Sequence, residues 1–258
     1  MEKHNFKKKY GQNFLNNEII LDRIVNLFEV SSVDKIVEVG PGAGALTKRL
    51  VNKGCNVTAF EIDVSLKKFL DKINKENLNV VYNDFLNINL NDYFNKEDKL
   101  YFIANIPYYI TTPIITKFID EEFIPEVMIL MVQKEVGERL SAKPSTKDYG
   151  AITVILNYYF DISYEFTVDR SDFYPVPNVD SCIIKLTKKE YIGGVSDFNK
   201  FKKLVNDAFK QKRKNLRNNL KAYDLEVISM ILTEYGYDLT NRAEDLGYEV
   251  FVDIVKSL

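Results

Sequence analysis

The sequence predicts an α/β fold: a mostly parallel sheet with helices on both faces, followed by a small all-helical C-terminal domain. Three observations carry that prediction. Short apolar runs such as Lys35–Val39, Asn56–Phe60 and Leu100–Ala104 read as buried strands, and segments of helical spacing alternate with them. A glycine cluster, Gly40-Pro41-Gly42-Ala43-Gly44, follows the first of these runs and leads into a helix. Beyond Ile192-Gly193-Gly194 the pattern turns wholly helical.

In chain order, Tyr10–Leu15 is turn-like, and Asn16 or Asn17 caps a helix carried by Ile20, Ile24, Leu27 and Phe28. The first strand, Lys35–Val39, runs into the glycines and a helix from Ala45 to Asn52 that Gly54 ends. A second strand, Asn56–Phe60, finishes at Glu61-Ile62-Asp63. A helix near Ser65–Asn74 leads to a third strand, Asn79–Tyr82, which ends at Asn83-Asp84. The fourth strand precedes Asn105, and Thr112-Pro113 starts the helix Ile114–Ile119. Val127–Val132 is a fifth strand, Gln133–Leu140 a short helix and Ala151–Phe160 a buried one. Two final strands, Tyr164–Val168 and Cys182–Leu186, flank a Pro-rich loop, Asp172–Asp180. The helical segments Phe198–Leu220, Leu225–Tyr235 and Val250–Leu258 complete the chain. The domain boundary falls near residue 190, which divides the chain into 1–189 and 190–258.

Composition narrows the chemistry. The single histidine, His4, sits in a polar tail, so a Ser-His-Asp triad and histidine-ligated zinc are excluded and no metal site is expected. Cys55 and Cys182 match no metal or redox spacing and read as buried thiols in a reducing cytoplasm. No apolar run approaches the roughly 18 residues of a membrane span, and no signal peptide is visible. The net charge of −2 conceals an asymmetry. Between Lys200 and Lys221 nine lysines and arginines face Asp207 alone, a local charge of +8, and residues 1–10 carry +3. A basic helix and a basic arm, including Lys8, Lys9, Lys210, Lys212, Arg213, Lys214 and Arg217, suggest a polyanionic partner engaged by one face. A solvated lysine-rich face is the competing reading.

Two motifs carry the chemistry. Glycines after a first strand let a ligand approach the backbone, and an acidic residue about 20 positions on, here Glu61, is placed to take both ribose hydroxyls. There is no P-loop. The second motif is Asn105-Ile106-Pro107-Tyr108. Pro107 biases Ile106 toward an extended backbone, so the Ile106 carbonyl and the Asn105 amide oxygen form two adjacent acceptors with the Tyr108 ring beside them. Two acceptors and a ring suit a planar amine such as the exocyclic NH2 of adenine; an Asn-capped turn is the bland alternative.

Several blocks occur in one order: Lys9-Tyr10-Gly11-Gln12-Asn13-Phe14-Leu15, Glu38 to Thr47, Asn105 to Tyr108, Gln133-Lys134-Glu135-Val136, Phe173 to Ser181 and Gln211-Lys212-Arg213-Lys214. With them the chain closely resembles the ribosomal RNA adenine dimethyltransferases, and within these the small-subunit enzymes. The resemblance implies a Rossmann-like S-adenosylmethionine-dependent methyltransferase sheet with a helical RNA-binding domain. It also implies dimethylation of the N6 amine of two adjacent adenosines in a hairpin near the 3′ end of small-subunit rRNA during ribosome assembly. Asn13 and Leu15 would close over the methionine end of the cofactor with Gly40 against it, and Gln12, Gly42, Gly44, Ile62 and Phe85 would also bind the cofactor. Glu61 would hold the ribose, and Asp84 the exocyclic amine of the cofactor's adenine. Asn105 would sit between cofactor and target base, with Tyr108 and Phe173 stacking on that base. Tyr109 departs from the Asn often found there. A cytoplasmic monomer acting within an assembly particle is expected. The alternatives are a large-subunit enzyme of the antibiotic-resistance type, a methyltransferase for adenine in other RNA or DNA, and a non-catalytic RNA-binding assembly factor. An NAD-dependent enzyme is more distant, since nothing supplies a hydride-transfer partner.

Overall fold

The computed structural model describes residues 13–105, 110–190, 194, 195 and 197–258. In chain order these form β1 (Phe14–Leu15), α1 (Glu18–Val25), β2 (Lys35–Val39), α2 (Thr47–Leu50), β3 (Asn56–Phe60), α3 (Lys67–Leu70) and β4 (Leu78–Val81). They continue through β5 (Leu100–Asn105), α4 (Thr111–Asp120), β6 (Val127–Gln133), α5 (Lys134–Leu140), α6 (Ala151–Tyr159), β7 (Phe160–Val168), β8 (Phe173–Tyr174) and β9 (Ser181–Lys188). Four helices follow: α7 (Phe198–Phe209), α8 (Leu216–Asn219), α9 (Leu225–Glu234) and α10 (Tyr248–Ser257).

Seven of the strands make one sheet in the order β4-β3-β2-β5-β6-β9-β7. The pairs β4-β3, β3-β2, β2-β5 and β5-β6 are parallel, and β9 runs antiparallel to β6. The central strands are buried on both faces: Ile36, Val37, Phe102, Met128 and Leu130 are inaccessible to solvent, which is why their sequences read as continuous apolar runs rather than alternations. The order reverses beside β2, because the chain moves outward through β3 and β4 and then returns to place β5 on the other side. Ligands in open α/β sheets bind in the crevice such a reversal opens at the carboxyl ends of the strands. Register aligns those ends, with Val39 opposite both Phe60 and Ala104. Gly40, Glu61 and Asn105 therefore leave the sheet at nearly one level.

The chain packs as two compact units. One takes in Met1–Gly137 with Ser163–Lys188, the other Glu138–Ile162 with Lys189–Leu258. The second junction falls at 188/189, one residue before the sequence-based division, and the segment Glu138–Ile162, placed with the sheet by that division, packs in the second unit. There Val154 and Tyr158 of α6 share a core with Phe201, Leu204, Leu232 and Phe251. Three of its helices start at side-chain caps: Asp197 for α7, Asn215 for α8 and Asp224 for α9.

One expected element is corrected. The basic segment Phe198–Leu220 is not a single helix, because α7 stops at Phe209 and α8 begins only at Leu216. Continuing the helix would stack Lys210 on Lys214 and Arg213 on Arg217 at four-residue spacing, a like-charge repulsion along its face. Asn215 instead restarts it, its side-chain oxygen accepting the Asn218 N–H at 3.2 Å. A second difference is a pairing: Phe14-Leu15, read as a turn, forms a two-stranded antiparallel sheet with Phe173-Tyr174. No helix among the described residues is long and apolar enough to cross a membrane.

Candidate active site

A cavity of about 730 Å³ lies in the first unit over the carboxyl ends of β2, β3, β4 and β5. Its size is in the range that encloses a small organic ligand. Asn13, Leu15, Gly40, Gly42, Glu61, Ile62, Asp84, Phe85, Asn105 and Phe173, all expected from sequence, line it. Gln12, Ile106, Pro107, Tyr108, Lys8 and Lys9 lie outside the described residues.

The turn after β2 needs its glycines for different reasons. Gly42 has φ +60°, and a Cβ there would lie 2.6 Å from Phe14 Cε1, so its bare backbone is what lets β1 close on the cavity. Gly44, at φ +84°, is not among the lining residues. A Cβ on it would strike Ile73 Cδ1 at 2.4 Å, so this glycine serves packing.

Glu61 is 4% exposed and held by the backbone. Its Oε2 accepts the Gly42 N–H at 3.1 Å and its Oε1 the Asp63 N–H at 2.8 Å. Burial raises its pKa, and these backbone donors oppose the rise. Each oxygen keeps a further lone pair, enough to accept two hydroxyls. Asp84, at the tip of β4, is fixed the same way: its Oδ1 accepts the Leu86 N–H at 3.0 Å, and Asn87 donates to its Oδ2 at 3.1 Å. Phe85, next in sequence, is buried among Phe60, Phe102 and Phe118, whereas Ile62 is 47% exposed at the rim. A carboxylate for a diol, a second acceptor and apolar walls between them suit an adenosine group. Replacing Glu61 by Ala is expected to weaken S-adenosylmethionine binding roughly 10- to 100-fold, since hydrogen bonds to a charged acceptor contribute about 1.5–3 kcal/mol. Calorimetry showing parent-like affinity would contradict the ribose assignment.

Glu38 belongs to the glycine block but received no role from sequence. It lines the cavity at 2% exposure, and its Oε2 has no hydrogen-bond partner among the described residues. On the sheet its register partners are Ala59 and Ile103, both apolar. Burial pushes its carboxyl up to about 8 from 4.5, the charge of Glu61 adds to the rise, and the Thr47 hydroxyl beside it moderates it. An unpartnered acid in the cavity wall is suited to a cationic group of a bound ligand. Because Glu38 holds more proton in the folded state than in the unfolded one between pH 4.5 and 8, its contribution to stability is greatest below this window. It falls as pH rises through it, by up to about 1.4 kcal/mol per unit. Above the folded-state value the contribution is constant. In the Glu38→Gln variant, chemical denaturation across the window should give a flatter curve; an unchanged slope would show that Glu38 does not titrate there.

The cavity's remaining wall is the pairing that sequence reading missed. Leu15 and Phe173 are register partners, both nearly inaccessible, and Asn17 Nδ2 donates to Asp172 Oδ1 at 2.8 Å beside them. Phe14, Asn16, Asn83, Leu86 and Ile110 also border the cavity. Only their adjacence to motif residues signalled them. The basic residues Lys210, Lys212, Arg213, Lys214 and Arg217 are all exposed and belong to the second unit. Among the described residues no His, Cys, Asp and Glu side chains gather in a group able to hold a metal ion.

A parallel sheet whose order reverses beside a glycine turn, with an acid at the next strand tip, is the layout of the Rossmann-like S-adenosylmethionine-dependent methyltransferases. The structure is similar to a dimethyladenosine transferase from Plasmodium falciparum, with a TM-score of 0.77 and 28% identity over 93% of this chain and 95% of that one. The family model described as ribosomal RNA adenine dimethylase matches residues 3–258, and the chain belongs to that family. It is 41% identical to the ribosomal RNA small subunit methyltransferase A of Clostridium acetobutylicum, over 97% of this chain and 94% of the relative. It is 40% identical to the protein of that name from Bacillus mycoides, over 98% and 91%. A crystal structure of the 23S rRNA methyltransferase ErmE is also similar, with a TM-score of 0.74 and 26% identity over 95% of this chain and 99% of that one.

Proposed function

We propose that this protein dimethylates the N6 amine of two adjacent adenosines in a hairpin near the 3′ end of small-subunit rRNA. It would act as a cytoplasmic monomer on an assembly particle. The observation that supports this reading most is identity of 40–41% along nearly the whole chain with proteins named for the small subunit. The large-subunit reading draws on the ErmE likeness, whose TM-score is almost as high as that of the dimethyladenosine transferase. Fold alone does not separate the two substrates; the higher sequence identity favours the small subunit.

In the mechanism, Glu61 takes the ribose hydroxyls, Asp84 the cofactor's adenine amine, and Asn13, Leu15 and Gly40 enclose its methionine end. Gln12 would be a further cofactor-binding residue. Bound S-adenosylmethionine supplies a methyl group already activated as a sulfonium. Position therefore matters more than acid or base. The Asn105 amide oxygen, with the Ile106 carbonyl, accepts the two hydrogens of the target amine. That arrangement favours a pyramidal nitrogen and stabilises the positive charge developing on it. The proton then leaves the amine for water. An adenine in a stem must first swing out, and the rings of Tyr108 and Phe173 receive it. Lys8, Lys9 and the exposed basic stretch from Lys210 to Arg217 hold RNA phosphates.

The test compares labelled methyl transfer to small-subunit particles, large-subunit rRNA and duplex DNA; preferential transfer to either of the latter would overturn the reading. Within it, changing Lys212, Arg213, Lys214 and Arg217 together to Ala should weaken binding to small-subunit rRNA. Its salt dependence should flatten by about one unit of slope for each phosphate no longer neutralised. Affinity for S-adenosylmethionine should stay at the parent value. An unchanged salt slope would reduce this segment to a solvated face.

A further inference from the structure

We infer that Asn219 is a positioning residue that shapes the basic loop between α7 and α8 for RNA phosphates; the inference rests on the RNA-binding reading above. Lys210, Lys212, Arg213 and Lys214 crowd into the six residues 210–215, all four exposed, and their charges repel one another. A loop of that composition favours extended, dispersed conformations unless something draws its backbone inward.

Asn219 does so. Its side-chain Nδ2 donates to the Ala208 carbonyl at 2.7 Å and the Gln211 carbonyl at 3.2 Å, with the Lys214 carbonyl at 3.4 Å. These three acceptors belong to the last turn of α7, the start of the loop and its end. One amide with two hydrogens thus gathers the whole excursion by shared bonds. The loop's own backbone adds a closing bond, from the Lys214 N–H to the Gln211 carbonyl at 2.8 Å.

Position makes the residue independent of the core beneath it. Leu216 at the start of α8 and Leu220 just after its end are fully buried, and the N–H groups of Leu216 and Arg217 donate to the carbonyls of Asn241 and Leu239. Those anchors fix α8 itself. Asn219 fixes the backbone that precedes it, and the Lys212 ammonium is further held by the Lys147 carbonyl at 2.7 Å, so Lys212, Arg213, Lys214 and Arg217 are presented as one preorganised set. Preorganised charges bind a phosphodiester backbone without first losing loop entropy.

The experiment measures binding of the full chain to transcribed small-subunit rRNA between about 50 and 200 mM salt. The proteins are the parent, Asn219→Ala, Asn219→Leu and the quadruple alanine variant of the four basic residues. Both Asn219 substitutions leave every charge in place, and leucine keeps the branching and heavy-atom count of the asparagine side chain while removing its hydrogen bonds. Calorimetry with S-adenosylmethionine counts the folded first unit, and far-ultraviolet circular dichroism during denaturant unfolding reports the helices of the second. A variant that merely folds less well therefore shows a lost folded fraction, with parent-like affinity and salt slope in what remains. The expected result is an affinity for RNA lowered about tenfold in both Asn219 variants, with a shallower salt slope. Faster hydrogen exchange across residues 210–215 should accompany it. If the quadruple variant weakens but both Asn219 variants bind like the parent, the positioning role is overturned while the RNA-binding reading stands. If the quadruple variant itself binds like the parent, that reading fails and takes the role of Asn219 with it.

Discussion

Asn105→Ala is expected to slow methyl transfer by roughly two to three orders of magnitude, the effect of losing about 2.7–4 kcal/mol of transition-state stabilisation. Asn105 closes β5, which is bonded to β2 on one side and β6 on the other, with Asn105 itself opposite Met131. A side chain at the end of a doubly supported central strand reaches the cavity from a rigid base. In the proposed mechanism its amide oxygen acts on a charge that is small in the ground state and large in the transition state, so the loss would fall on the rate. Cofactor affinity should decline only modestly, because Glu61 and Asp84 remain. Single-turnover kinetics separates the two, and near-normal turnover in the variant would remove Asn105 from the chemistry.

Phe173→Ala is expected to lower stability by about 3–5 kcal/mol, as for other buried aromatic truncations. Phe173 is only 4% exposed and packs in a core with Leu15, Leu21, Ile129, Met131 and Val168. It is also a lining residue of the cavity, so its removal should reduce methylation per folded molecule if its edge stacks on the target adenine, an interaction worth about 1–3 kcal/mol. Denaturant unfolding reports the first effect, and specific activity normalised to the folded fraction reports the second. A melting temperature that hardly moves would contradict the packing role. Normal activity per folded molecule would exclude the stack.

The central sheet was legible because the interiors of β2, β5 and β6 are buried on both faces and their sequences are mostly apolar. Glu61 was legible because a fixed strand-turn-helix geometry sets its distance from the glycines. Where partners lie far apart in sequence, the signal failed. Leu15 and Phe173 form strands of two residues each, too short for periodicity to appear. The apolar face of α6 announced burial without saying in which core, and it packs with Phe201 and Phe251 rather than under the sheet. The break after Phe209 is encoded by like charges and the caps Asn215 and Asn219, whereas the spacing of Leu204, Val205 and Ala208 promised continuity. Glu38 reads as one polar residue in an apolar strand. Its missing partner is visible only once the cavity is formed.

The most direct measurement is the identity of the product nucleoside. Small-subunit particles from a strain without this activity would be incubated with the protein and methyl-labelled S-adenosylmethionine, and the RNA digested and resolved by mass spectrometry. The account predicts label in N6,N6-dimethyladenosine, at two adjacent positions near the 3′ end of the RNA, and almost none with Asn105→Ala. Label in another base or in the ribose, or undiminished label with that variant, would contradict it.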